Sequence, residues 1–185
     1  MLMLASQSPR RKALLEKYGF SFQAISPNVD ESVVSPQDPV SYVQQLAFEK
    51  ANAVYKKHTE NIVIGADTIV YKEDTYFGKP KDRLDAFNML KELSGKTHQV
   101  YTGVCILATG HQDLFHTVSN VTFKTLTKED IITYIDTFEP YDKAGAYGIQ
   151  EENNILVKSF DGAFETIVGF PMFLIHSKLT RLIKK

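Results

Sequence analysis

Residues 61–66, Asn-Ile-Val-Ile-Gly-Ala, constrain this chain more than any other segment. The run is β-rich and apolar without alternation, so it reads as a strand buried on both faces at the centre of a sheet. Met1–Ala5 is a second short apolar run and reads as a buried first strand. Ser8-Pro9 then supplies an N-cap followed by proline at the first helical position. The helix that follows runs to about Tyr18 with Leu14 and Leu15 inward, and Gly19 is placed to end it. Ser21–Ile25 reads as a further strand, and Ser26–Asp38, with its prolines and its Ser and Asp residues, as a loop. Asp38-Pro39 repeats the cap-and-proline signal ahead of a helix with Val43, Leu46, Ala47 and Val54 at helical spacing.

Beyond the central strand, Ile69–Tyr71 and Tyr76-Phe77 flank Lys72–Thr75 as a hairpin. Asp82 caps a helix over about 83–93 that Ser94-Gly95 closes. Residues 99–108 and 114–125 form two strand-rich stretches around Gly110. Residues 127–137 read as a helix with Asp130 in a capping-box position, followed by an Asp- and Gly-rich loop, a strand over 155–160 and a last helix over about 171–182. The βα units mixed with an antiparallel stretch predict an α/β fold, a mixed sheet flanked by helices. At 185 residues this is one domain or two small lobes sharing a cleft, the smaller lobe around 28–58 and the last helices.

Net charge of −1 gives no global pull toward nucleic acid or anionic membrane, so any anion site must be built locally. No apolar run approaches the roughly 18 residues of a membrane span, and Met1–Ala5 is too short for a signal peptide, so the expected location is cytoplasmic. Cys105, the single cysteine, rules out a disulfide framework, and its apolar neighbours predict a buried, inert thiol.

Four constellations carry candidate chemistry. Ser8-Pro9-Arg10-Arg11-Lys12 places three cations in the first turn of a helix, where the dipole disfavours them by a few tenths to about 1 kcal/mol. A polyphosphate would satisfy those cations and the free amides together; side chains pointing into water would do as well. Asp67 follows the apolar strand directly, at the carboxyl edge where open α/β sheets place ligands, although a turn aspartate is the plainer reading. Lys79, between Gly78 and Pro80, is a positioned point charge outside any P-loop pattern. Asp142–Gln150 is a loop of two glycines around an aromatic, and Gln150 offers the donor and acceptor that suit a base edge; on these residues alone a plain loop with a packed tyrosine is the favoured reading. Asp30, Glu31, Glu49 and Lys50 each pass for solvated charges. The five histidines show no zinc spacing, and the acids suit a hard, oxygen-liganded cation.

Taken together, Leu4–Arg11, Asp30-Glu31, Ala47–Ala51, Ile64–Thr68, Gly78–Pro80 and Asp142–Gln150 closely resemble, in order and nearly end to end, the Maf family of nucleoside triphosphate pyrophosphatases associated with septum formation. The resemblance implies an elongated, two-lobed, ITPase-like α/β fold with a central cleft, formed by a single domain over 1–185. It implies hydrolysis of dTTP and UTP, standard or modified, at the α–β phosphate bond. Asp67 resembles the proton acceptor that activates water, and Glu31 an acidic partner of Asp67 and of a divalent cation, Mg²⁺ with Mn²⁺ as the alternative. Arg10, Arg11, Lys50 and Lys79 resemble a cationic cradle for the triphosphate with Ser8 at its edge. Arg10, Thr68 and Gln150 match the positions that mark the dTTP/UTP subgroup. One departure is visible: Glu151-Glu152 follows the glutamine where the family commonly has glycine, two negative charges expected to weaken or redirect base binding.

The resemblance thus implies a soluble house-cleaning hydrolase whose partner is a pyrimidine nucleoside triphosphate, with no nucleic acid or membrane partner and with room for a homodimer. A nucleotide-binding regulator of septum formation without turnover is the main rival. A phosphotransferase using another acceptor is the second.

Overall fold

The computed structural model describes residues 1–31, 38–151 and 155–183. Part of the expected 26–38 loop, residues 32–37, and the expected charge Glu152 lie outside the described residues.

The elements are β1 (Leu2–Ala5), α1 (Pro9–Lys17), β2 (Phe22–Ala24), α2 (Pro39–Tyr55), β3 (Ile62–Lys72), β4 (Thr75–Phe77), α3 (Arg83–Leu93), β5 (Thr97–Ala108), β6 (His111–Phe123), α4 (Lys128–Phe138), β7 (Val157–Asp161), α5 (Phe164–Val168) and α6 (Met172–Ile183). Among the described residues they form a seven-stranded mixed sheet in the order β2-β1-β3-β5-β6-β7, with β4 beside β3. β1 runs parallel to both β2 and β3, whereas β3–β4 and β6–β7 are antiparallel. Helices flank a mixed sheet, as expected.

Side-chain caps explain where three of these helices start. Asp38 accepts from the amides of Val40 and Ser41, each at 3.0 Å, and Asp82 accepts from Asp85 at 2.8 Å. Thr127 and Asp130 close a full capping box ahead of α4, and these bonds hold the Asp130 carboxyl below its ordinary range. Ser8 precedes Pro9 as expected but makes no side-chain cap bond. Its amide instead donates to Ser6 Oγ at 3.2 Å.

The chain divides into two compact units. The first comprises 1–67, 102–117 and 168–185, with a core of Met3, Ala5, Ala47, Ala51, Val54, Val63, Cys105 and Leu107. Helix α2 lies directly on the sheet there, because two glycines leave no side chain in the way. A Cβ on Gly65 would fall 2.4 Å from the Ala47 carbonyl and 2.5 Å from the Ala51 amide, and one on Gly103 would fall 2.3 Å from the Val43 carbonyl. Cys105 is fully buried, and burial first, with Asp113 second, pushes its thiol up to about 12. The second unit comprises 68–101 and 118–167. Its core gathers Val70, Phe77, Leu90, Leu93, Val121, Phe123, Ile131, Tyr134, Ile135 and Tyr147. No helix among the described residues is long and apolar enough to cross a membrane.

One strand is longer than its sequence announces. β3 does not stop at Ala66; it continues through Asp67 to Lys72, and Glu73-Asp74, both with positive φ, turn it into β4. The β-prone Ile69-Val70-Tyr71 finds a partner in β4, which extends the ladder. Asp67 therefore lies inside a strand, two residues past the last β1 pairing at Ala5–Gly65. The edge it lies beside is the carboxyl end of β1, not the end of β3.

Candidate active site

The first unit brings four of the expected site residues into one cluster. Alternation along β3 puts Asp67 on the same face as Gly65, the face on which α2 rests. Lys50, in the turn of α2 between Ala47 and Ala51, meets Asp67 there: Nζ lies 2.6 Å from Asp67 Oδ1 and 2.7 Å from Glu31 Oε1. Asp67 is 6% exposed. Two carboxylates thus converge on one ammonium: the Asp67–Lys50 pair is largely desolvated, where an ion pair is costly to break from one side, whereas Glu31 is half-exposed.

Arg11 is set into the same cluster from α1. Its Nε donates to Gly169 O at 2.9 Å, and one terminal nitrogen donates to Ala66 O at 2.7 Å and to Ser6 Oγ at 3.3 Å. Burial pulls the guanidinium down to about 10, opposed by the charges of Asp67 and Glu31, so it stays protonated at neutral pH. Arg11 therefore clasps the backbone residue that precedes Asp67. Arg10 and Ser8, on the first turn and cap of the same helix, are partly exposed.

The remaining expected residues belong to the second unit. Thr68 follows Asp67 but faces the other side of β3, the side of Val70. Lys79 is exposed beyond β4, and Gln150 is exposed at the end of the Asp142–Gln150 loop. These two loops are tied together, since the Gly145 amide donates to Gly78 O at 3.0 Å. Gly145 has a φ of 68°, and a Cβ there would strike Val70 Cγ2 at 2.9 Å, so the position needs glycine on both counts.

A divalent cation can be weighed against these donors. No group of three or more His, Cys, Asp or Glu suited to a metal occurs among the described residues. Asp67 and Glu31 supply two carboxylates already converging on a cation. That partial, all-oxygen set fits Mg²⁺ or Mn²⁺, which are commonly held by one or two carboxylates together with substrate phosphates and water.

Two features carry little signal at the level of single residues. Lys50 reads as a solvated helix charge, and only the small residues around it, Ala47 and Ala51, hint at a face pressed on the sheet. Tyr134, on the apolar face of α4, gives no sign that its hydroxyl reaches Gly148 and Glu151.

An α/β sheet with a lysine-bridged carboxylate pair beside an arginine-bearing helix start defines a protein equipped to handle anionic ligands. The match to known proteins is more specific: the Maf-like protein family covers residues 1–182. The chain belongs to that family. A dTTP/UTP pyrophosphatase of Bacillus anthracis (strain CDC 684 / NRRL 3495) is 44% identical over 184 residues, covering 100% of this chain and 94% of the relative. Similar relatives of the same name come from Clostridioides difficile (strain 630), 44% identical over 186 residues, and from Bacillus cereus, 45% identical over 184, each with the same coverage. The solved structure of the Staphylococcus aureus Ham1 protein shares the fold, with a TM-score of 0.54 and 14% identity over 97% of both chains.

Proposed function

We propose that this chain hydrolyses dTTP and UTP to the nucleoside monophosphate and pyrophosphate. The observation that carries the reading is the Asp67–Lys50–Glu31 cluster, a poised carboxylate with its counter-charge in a chain whose relatives bear that activity as their name. Water attacks the α-phosphorus, the bond from that phosphorus to the bridging oxygen breaks, and pyrophosphate leaves with the electron pair. Asp67 takes the proton from the attacking water. Lys50 holds the Asp67 carboxylate in place, and Glu31 shares the same ammonium. Arg10 and Lys79, with Ser8, balance the charge of the triphosphate, which in phosphoryl transfer is most of what the protein contributes. Arg11 braces the strand that carries Asp67. Asp67 and Glu31 would hold a divalent cation, Mg²⁺ or Mn²⁺, whose chemistry is to neutralise phosphate charge and lower the pKa of bound water. Thr68 and Gln150 select the base.

The test is pyrophosphate and monophosphate release from a panel of nucleoside triphosphates under multiple turnover. Selective cleavage of dTTP and UTP supports the reading. Binding of either nucleotide with no release of pyrophosphate, across several divalent cations, replaces it with a regulator that binds without turnover.

A further inference from the structure

The loop that presents Gln150 is closed by a network that its sequence does not announce, all of it within the second unit. The Tyr147 hydroxyl meets His98 Nε2 at 2.7 Å inside the core. The Gly148 amide donates to the Tyr134 hydroxyl at 2.9 Å, and that hydroxyl donates in turn to Glu151 Oε2. Burial first, and the Glu151 bond second, push the Tyr134 phenol well above its ordinary range, so it remains a donor. The other oxygen of Glu151 faces Lys143 Nζ at 3.6 Å, with both side chains only 15% exposed. A Cβ on Gly148 would sit 2.8 Å from Glu151 Oε1 and 3.0 Å from Lys143 Cε, so the acid and the lysine stem close over a bare backbone. Gln150 stands exposed between buried Ile149 and this anchored glutamate.

Glu151 was expected to place a negative charge near the base. Its carboxylate accepts from the Tyr134 hydroxyl and faces Lys143, whose ammonium also lies 2.9 Å from Asp142 Oδ1, so it serves as part of the loop's own scaffold. We infer that Glu151 is a positioning residue for base selection: by joining Tyr134 and Lys143 it fixes the backbone from which Gln150 reads the pyrimidine. An amide discriminates between bases by leaving the wrong one with unpaired polar groups, and it can do so only if its own position is held. The inference rests on the reading of Gln150 as the base contact.

The experiment compares kcat/KM for UTP with that for CTP in the wild type and in Gln150→Ala, Glu151→Ala, Glu151→Gln and Tyr134→Phe. In Glu151→Ala the UTP preference should fall about tenfold, roughly the worth of one hydrogen bond. The loss should sit in the KM for UTP, with kcat nearly unchanged. Glu151→Gln, which keeps an acceptor for Tyr134, should retain most of the preference. Tyr134→Phe should lose part of it, and the Tyr134→Phe/Glu151→Ala double variant should be no worse than Glu151→Ala alone. If Gln150→Ala flattens the preference while Glu151→Ala leaves it within about twofold of wild type, the positioning role is wrong and the base contact stands. If the wild type shows no preference, or Gln150→Ala leaves it intact, the base contact is wrong and the positioning role falls with it. Should Glu151→Ala fail to fold, Glu151→Gln and Tyr134→Phe decide: an unchanged UTP/CTP ratio in Tyr134→Phe overturns the inference.

Discussion

Replacing Asp67 with asparagine separates the chemistry of this site from its architecture. Asparagine keeps an oxygen where Oδ1 accepts from Lys50 at 2.6 Å, and it removes the charge. The Lys50 ammonium is not stranded by the change, because Glu31 Oε1 remains 2.7 Å away. The fold therefore loses only the difference between a charged and a neutral acceptor, about 1–2 kcal/mol. At roughly 2–4 °C per kcal/mol for a chain of this size, Tm should fall by less than about 8 °C. Loss of a general base costs about 10²–10⁴ in rate, or roughly 3–5 kcal/mol of barrier. Turnover followed by pyrophosphate release, beside thermal unfolding and calorimetric titration with a non-hydrolysable UTP analogue, gives all three quantities. The expected result is a collapsed kcat, a nearly normal Tm and a nearly normal Kd. A kcat within about threefold of wild type would refute the assignment of Asp67 as proton acceptor, as would a loss confined to Kd.

Gly65→Ala forces α2 off the sheet, since its Cβ would lie 2.4 Å from the Ala47 carbonyl, and denaturant titration should show a loss of about 1–3 kcal/mol or more. Turnover at a temperature where the variant is still folded should fall as well, because Lys50 rides on the displaced helix. Arg11→Lys keeps the charge but cannot reach Gly169 O, Ala66 O and Ser6 Oγ together, so kcat should drop about tenfold with KM little changed. A matching rise in KM would make Arg11 a triphosphate ligand instead of a brace. His98 is 1% exposed, and burial chiefly, with the charge of Lys72, brings it down to about 4. The unfolded chain then binds the extra proton between about pH 6.5 and 4, so stability is lost as pH falls through that window, by roughly 3 kcal/mol. Comparing unfolding midpoints of wild type and His98→Gln at pH 7, 5.5 and 4.5 isolates this slope, which the variant should lack.

The alternation of strands and helices was legible because caps and periodicity are local: Asp38-Pro39, Asp82 and the Thr127/Asp130 box all start helices where their side chains predict. What escaped was how local pieces join: the 69–77 hairpin was legible, but not that its first arm continues residues 62–66 as one strand through Asp67. Helix α5, five residues long, is too short to display a period. The site followed the same division. Arg10, Arg11, Asp67, Lys79 and Gln150 stood out because each sits in a local pattern of glycine, proline or like charge. Lys50 shows its role only when residues 17 apart in sequence meet across a helix–sheet contact. The Tyr134–Glu151 bond likewise joins positions 17 apart, and no periodicity encodes it.

The buried thiol of Cys105 gives the chain a built-in clock. As the single cysteine in the sequence, fully buried on β5 and held protonated, it offers nothing to a thiol reagent while the first unit stays closed. Modification must wait for an opening of the core around Val63, Ala51 and Leu107. The labelling rate in native buffer therefore counts those openings directly. Any nucleotide that binds the Asp67–Lys50 cluster should slow the clock in proportion to its affinity, which turns one sulfur atom into a reporter of occupancy that requires no turnover.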